Sequence, residues 1–465
     1  MTDAASEQGF RETMHDNPGV TRALAEFVVN ARYDALPETV RHEGRRAFVN
    51  WLGCVLGGCR TEAVARALPL FDEFSGPREA TAIGHGKRLD IFGAAFINSM
   101  SSAALSYNDT HLRTVAHPTT PVAAALLALA ERRPVSGIDF LHALILGDEV
   151  QCRVGSILTT PPARSHFALS MAALVGGIGA SVAAARLLAL GERRTIYAIG
   201  LAAAQAGGTR AVHGSSAGRM LSGEAARAGL MSALLAEKFF DTPDEAFAGA
   251  KGYANAHAEH ADASVAIAGL GETFEILSLS YKPYPCGIVI HPVIDVCLDL
   301  VRQFRFAPEE IEEVVLAVPE SAIQLTGRKD PTDRDKAGTS LYHWAASSLF
   351  YRAAGLAQGA TECVRDPRII SLRDRITAVA DPALAPDAAH AEIRLRDGRT
   401  LKAHVEHARG SAARPLTDEE LSEKFLAQAE SILDPAPAQD LLARAWRLVE
   451  AKDVRSAVAP LFRES

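Results

Sequence analysis

Apolar residues recur at helical spacing through the first 250 or so positions of this 465-residue chain. A first helix is expected after Pro18, with Leu24, Phe27, Val28 and Ala31 on one face. Leu36-Pro37-Glu38 restarts a second, whose buried side reads Val40, Ala47, Phe48, Trp51, Leu52 and Val55 and which Gly57-Gly58 end. Ala63 to Phe74 is another helix, and Ala80 to Ile83 a short extended piece. From Phe92 to about Ala248 helix follows helix, divided by Gly, Pro and polar turns; Ser136-Gly137-Ile138-Asp139 opens one, and Leu190-Gly191-Glu192 separates a pair. Residues 1 to 17 read as a disordered lead-in.

The pattern changes near Leu270. Phe274–Leu277, Val314–Val318, Ile376–Val379 and Ala391–Leu395 read as strands, and Asp397-Gly398 before Thr400–Val405 is a hairpin signal. Helical pieces lie between them, at Ile294–Phe304 and Tyr342–Ala357, and helices return at Asp418–Ile432 and Asp440–Val449. The expected fold is mainly α: a large all-α helical domain with an inserted, smaller α+β lid domain. The expected domains are 18–269 for the helical body, 270–405 for the α+β part, and 406–465 for C-terminal helices returning to the body.

Composition narrows this picture. The hydrophobic fraction is 48% but aromatics are only 6%, a mixture suited to helices that cross closely at small residues. A net charge of −8 weighs against a nucleic-acid surface and obliges any anion site to be a local cluster of Arg, Lys and His. The six cysteines show no metal-site spacing and read as reduced, buried thiols of a cytoplasmic protein. The N-terminus has no apolar core of a secretory signal. Phe167–Ala185 carries no charge, but its Ala, Gly and Ser content reads as a core helix, not a membrane span.

Four places set polar function against apolar sequence. Ser106–Pro118 packs Asp109, Thr110, His111, Arg113 and His117 between two apolar helices, as a cavity wall or as a polar surface loop. His166, in Arg164-Ser165-His166, precedes the charge-free helix; the helix dipole would keep it neutral and base-competent, and the alternative is a capping or exposed histidine. Gly214–Gly223 reads as a Gly/Ser-rich loop before a Glu224–Phe240 helix, with Arg219 as a carboxylate partner. It is no Walker A, and Gly176-Gly177-Ile178-Gly179 is no dinucleotide fingerprint; those glycines read as helix-packing positions. In Ser280–Pro292 two prolines hold the chain extended around Lys282, which suits a base or carboxylate ligand. A weaker fifth place is Ser340-Leu341-Tyr342-His343-Trp344. No Ser-His-Asp order and no HExxH occurs.

Taken in order, N-D-T-H…H-P at 108–118, R-S-H at 164–166, G-R-M-L-S-G-E-A-A-R-A-G at 218–229 and K-P-Y-P-C at 282–286 closely resemble the MmgE/PrpD family. That family includes 2-methylcitrate dehydratase, cis-aconitate decarboxylase and iminodisuccinate epimerase, and the resemblance runs from about residue 20 to 450. It implies a homodimer without metal or organic cofactor, an active site between a helical and a lid domain, and a small di- or tricarboxylate substrate. It also implies catalytic roles for Thr110, His117, His166 and Lys282. Ser106, Arg219, His291, Tyr342 and His343 fall at or beside positions that contact substrate in the family. Ser106 stands where the dehydratase and decarboxylase patterns have aspartate, and Arg219 where a lysine is usual. Gly287 and His343 replace a histidine and a tyrosine of the decarboxylase, leaving His291 and Tyr342 as the nearest equivalents. The Thr110–His117 spacing is one residue longer than the decarboxylase's. These departures weigh against decarboxylation and leave dehydration open. The implied chemistry is His117 and His166 as acid and base beside a carboxylate held by Lys282 and Arg219, with Thr110 and Ser106 donating hydrogen bonds. No nucleic-acid or membrane partner is expected.

Overall fold

The computed structural model describes residues 19–462. The expected lead-in, residues 1 to 17, lies outside the described residues. Contacts divide the chain into two units. The first comprises the chain to Ala104, Asn108–Leu279 and the chain from Glu420; the second comprises Leu105–Tyr107 and Ser280–Glu419.

The first unit is helical. Its main elements are α1 (Gly19–Asn30), α2 (Glu38–Gly58), α3 (Glu62–Glu73), α4 (Ile91–Ala103), α5 (Thr119–Arg132), α6 (Gly137–Thr159), α7 (Met171–Leu187), α8 (Glu192–Ala204) and α9 (Ser216–Glu237). Their starts follow from sequence. Asp90 caps α4 by accepting the Phe92 and Gly93 N–H groups, and Ser136 caps α6 by accepting that of Asp139. The expected apolar side of α2 is fully buried.

α7, charge-free up to Arg186 in its last turn, lies at the centre, and small residues set how closely its neighbours approach. A Cβ on Gly176 would lie 3.0 Å from that of Ala225 in α9 and 3.2 Å from Pro121 Cγ in α5. A Cβ on Gly229 of α9 would lie 2.5 Å from that of Ala180, and one on Gly147 of α6 2.7 Å from that of Ala183. The Gly/Ala richness is therefore a packing requirement, since a side chain at any of these crossings forces the helices apart. At 17 residues α7 is a core helix, and no described helix is long and apolar enough to cross a membrane.

The second unit is α+β. Its sheet has the order β4-β3-β1-β2, where β1 is Ile311–Val318, β2 Ile376–Ala380, β3 Ala389–Leu395 and β4 Thr400–Val405. β1 and β2 are parallel; the other pairs are antiparallel. Gly398, at φ +88°, makes the turn between β3 and β4 that the Asp-Gly pair announces. Ala389, Ala391, Ile393 and Leu395 of β3 alternate inward, and α10 (His291–Gln303) covers that face with Val293, Ile294, Cys297 and Leu300. A further helix, α11 (Leu341–Tyr351), ends where Arg352 turns left-handed, short of the expected Ala357.

After the second unit, α12 (Asp418–Ala429) and α13 (Pro435–Trp446) return to the helical unit. Gly53 and Gly57 of α2 admit Phe425 and Gln428, and Trp446 stacks on His42. Two expectations fail. Phe274–Leu277 is no strand: Glu275–Ser278 forms a 3₁₀ turn with the Ile276 N–H on Glu149, so its apolar run is packed, not paired. Gly214–Gly223 is mostly no loop either. α9 begins at Ser216, because Gly218 and Gly223 are needed where the helix touches Val212 O and Phe96 O, not for a turn.

Candidate active site

The stretch from Asn108 to Pro118 is a closed loop of the helical unit. The His111 N–H donates to the Ala116 carbonyl at 3.0 Å, Val115 takes φ +55°, and Thr114 fits against Gly155 of α6, whose Cβ would lie 2.9 Å from Thr114 Cγ2. Closure brings the half-buried His117 back onto Asp109 and Thr110. His117 Nδ1 lies 2.9 Å from the Asp109 carbonyl and 3.2 Å from Thr110 Oγ1. A carbonyl can only accept, so Nδ1 carries the hydrogen and the neutral ring keeps its basic lone pair on Nε2.

The Asp109 side chain is held beneath. Its Oδ2 accepts the Thr119 N–H and hydroxyl, each at 3.1 Å, and the same hydroxyl lies 2.8 Å from Asp148 Oδ2. Asp109, Thr119 and Asp148 are all fully buried. Pro118 precedes α5 and supplies no cap, so Asp109 does so from across the loop. Lys424 of α12, buried and donating to Asn50 Oδ1 at 2.6 Å, adds its positive charge toward Asp109. Burial first, then the Asp109 charge, pushes the Asp148 carboxyl well above its usual range. On the loop's other side His111 Nε2 meets Glu275 Oε2 at 3.2 Å and Arg113 meets Oε1 at 2.5 Å. Hydrogen bonding from His111, reinforced by Arg113, holds the Glu275 carboxyl down at about 2.

His166 is placed differently. It is exposed, and α7 starts five residues later at Met171, so the helix-dipole argument does not apply. Arg164 and Ser165 form a two-residue pairing with Glu259 and Ala258. The Ala168 N–H donates to His166 Nδ1 at 3.1 Å, so the neutral ring carries its hydrogen on Nε2. His166 and His117 are thus held in opposite tautomers. Arg219, in the first turn of α9, donates to the Ala103 carbonyl at the end of α4 at 3.1 Å.

In the second unit Lys282 is 2% exposed and its Nζ donates to the Ser106 carbonyl at 3.3 Å. Ser106 sits at φ +52°, a left-handed conformation that costs a serine about 1–2 kcal/mol. The Tyr107 hydroxyl donates to the Pro283 carbonyl at 2.9 Å, so Leu105–Tyr107 is tied to the Lys282 segment at two points. His291 is fully buried, edge-on to Tyr284 at 5.3 Å. His343 is fully buried too, with Nε2 on the Gln358 carbonyl at 2.8 Å, and burial pushes its pKa down to about 4. Tyr342 is half-buried under Lys329. Within each unit the structure thus gathers Thr110 with His117, and Ser106 with Lys282. His343 and Arg219 are each hydrogen-bonded to a backbone carbonyl, and His291 packs edge-on against Tyr284.

Three residues were missed by sequence reasoning. Asp148 and Thr119 form the floor under His117; an aspartate inside the apolar run Leu144–Val150 was the available signal. His213, directly before the glycine-rich stretch, places Nε2 3.2 Å from Ser170 Oγ at the start of α7. Although the residue is exposed overall, packing around its ring, then Arg210 and Arg219, pushes its pKa down. Among the described residues no group of three His, Cys, Asp or Glu is placed to hold a metal ion.

These features define a two-unit, mainly helical protein with a buried polar floor under a histidine of fixed tautomer. The MmgE/PrpD N-terminal domain matches residues 22–266 and the MmgE/PrpD C-terminal domain residues 284–448. The chain belongs to the MmgE/PrpD family. It is 25% identical to a cis-aconitate decarboxylase-like protein of Aspergillus oryzae, over 96% of this chain and 98% of that protein. It is also 25% identical to the cis-aconitate decarboxylase of Mus musculus, over 93% and 91%, and 24% identical to that of Homo sapiens, over 93% and 92%.

Proposed function

We propose that the protein is a cofactor-independent hydro-lyase, resembling 2-methylcitrate dehydratase, that removes water from a small di- or tricarboxylate. Membership of a family whose matched relatives are lyases makes the chain an enzyme of that class. The observation that carries the acid–base part of this reading is the opposed tautomers of the two histidines, while the choice of dehydration rests on the motif resemblance. His117, with its lone pair on Nε2, is the base that removes a proton from the carbon next to a carboxylate. His166, with a hydrogen on Nε2, hydrogen-bonds the departing hydroxyl, and its exposed ring recovers from solvent any proton it gives. Because its Nδ1–H already faces the Asp109 carbonyl, His117 leaves the Thr110 hydroxyl hydrogen for a substrate oxygen. Lys282 and Arg219 bind substrate carboxylates, with support from Ser106, His291, Tyr342 and His343. Charge developing beside a carboxylate needs such donors in place before it forms.

The second reading is an epimerase of the iminodisuccinate type, in which His166 returns a proton to the opposite face. The opposed tautomers favour it equally, since they supply one acceptor and one donor. A third reading, a catalytically inactive small-acid binding protein, keeps the carboxylate ligands alone. The protein is further taken to be a cytoplasmic homodimer, which light scattering of the purified chain tests. Incubation in deuterium oxide with a panel of di- and tricarboxylates, followed by NMR, separates the chemistries. Water loss supports the dehydratase, exchange without net conversion the epimerase, and carbon dioxide release a decarboxylase. Binding with no exchange on any substrate removes the catalytic reading.

A further inference from the structure

We propose that Asp109, Thr119 and Asp148 form a one-proton carboxyl pair that positions His117, with Asp148 as its protonated member. The inference rests on the reading of His117 as the base. Its ground is a count of hydrogens. Thr119 has one hydroxyl hydrogen, yet its Oγ1 lies 2.8 Å from Asp148 Oδ2 and 3.1 Å from Asp109 Oδ2. Were both acids ionised, one of these close oxygen pairs would have no hydrogen between its atoms, and two negative charges would face each other out of reach of water. One proton resolves both conflicts. Asp148 donates to Thr119 Oγ1, and the Thr119 hydroxyl donates to Asp109.

The surroundings decide which acid holds the proton. Asp109 accepts a backbone N–H in the first turn of α5, where the helix dipole favours an anion, and feels the charge of Lys424. Asp148 faces Asp109 and Glu149, both acidic, with Cys152 one turn further along α6. Glu149 is itself paired with Arg153 at 2.6 Å. A clamped Asp109 side chain fixes its own carbonyl, and that carbonyl receives the His117 Nδ1–H at 2.9 Å. Asp148 and Thr119 touch no substrate in this scheme. They are positioning residues.

The test combines ¹⁵N NMR of His117, which needs no substrate, with turnover on whichever acid the exchange panel identifies. Thr119→Val and Asp148→Ala are expected to move His117 from a single Nδ1–H tautomer to a mixture. Both should lower kcat by about 10- to 100-fold, the usual effect of a misplaced catalytic group, with KM little changed. Thr119→Ser and Asp148→Asn each keep the needed donor and should restore the tautomer and the rate. If Asp148→Asn behaves like Asp148→Ala, or if Thr119→Val leaves the His117 signature intact, the inference is overturned. Should Thr119→Val or Asp148→Ala fail to fold, the Asp148→Asn and Thr119→Ser spectra still decide it. Full activity in His117→Ala would instead remove the functional reading, while the NMR outcome would still judge the carboxyl pair.

Discussion

His117 and His166 are the same residue type, each shortly before a helix, and the structure treats them in opposite ways. His117 closes a loop that is hydrogen-bonded across its neck, seated on Gly155 and anchored through Asp109 to two helices. His166 follows a two-residue pairing at the surface and is oriented by one local N–H. The first ring is fixed by the core, the second by its neighbour in sequence. A base must be aimed before substrate arrives, because misaiming it costs rate directly. A donor at the surface can be completed by the ligand. On the proposed roles, the contrast gives pre-organisation to one histidine and adaptability to the other.

The largest expected effect follows. His117→Ala should lower kcat by about 10²- to 10⁴-fold with the fold intact, the usual worth of a general base. His166→Ala should lose less, about 10- to 10²-fold, and added imidazole should rescue it because its place is open to solvent. Rescue of His117→Ala but not of His166→Ala would reverse the comparison. Unchanged turnover in both variants would end the acid–base assignment.

Much of this was legible in the chain, and the unread part has a physical cause. Helical periodicity placed α2, α6 and the small-residue α7, and the Asp-Gly turn placed the β3–β4 hairpin, because these depend on local spacing. The run Phe274–Leu277 misled because a short apolar segment has no period of its own; burial of its Ile276 against α6 decided its form. The Gly/Ser-rich stretch misled because glycine serves close contact as well as turns, and at Gly218 and Gly223 contact won. Motif reading singled out Thr110, His117 and Lys282 for the proposed site. It could not find Asp148, which meets Asp109 only through folding, nor the two tautomers, which are set by backbone atoms that carry no sequence signal.

The floor under His117 also carries a pH signature absent from the His166 loop. The folded protein holds a proton on Asp148 that the unfolded chain releases above about 4, near the ordinary value of 3.8. With more protons bound in the folded state, stability falls as pH rises above that point, by up to about 1.4 kcal/mol per pH unit until the folded-state pKa is reached. Asp148→Asn lacks this dependence. Its stability relative to the parent chain should therefore climb between pH 4 and 6 in urea unfolding. A difference that stays flat with pH would mean that Asp148 is ionised in the fold. Glu275 works in the other direction: held at about 2, it contributes stability that is present above its usual 4.5 and lost as pH falls toward 2.

The smallest effect probes the seat of the loop alone. Gly155 lies inside α6, where alanine would ordinarily stabilise a helix by about 1 kcal/mol. Here the new methyl would meet Thr114 Cγ2 at 2.9 Å and its Cβ at 3.0 Å. Thr114 is β-branched, and its hydroxyl is engaged by His111 Nδ1 at 2.9 Å, so it cannot swing aside without loosening the loop. The clash should outweigh the helix gain and leave Gly155→Ala destabilised by about 1–2 kcal/mol, measured by urea unfolding. The His117 ¹⁵N signals should shift while those of His166 stay in place, since no part of the His166 loop rests on Gly155. A stabilised Gly155→Ala with unmoved His117 signals would show that the loop has slack. His117 would then be no better held than His166, and the division of labour between them would lose its physical basis.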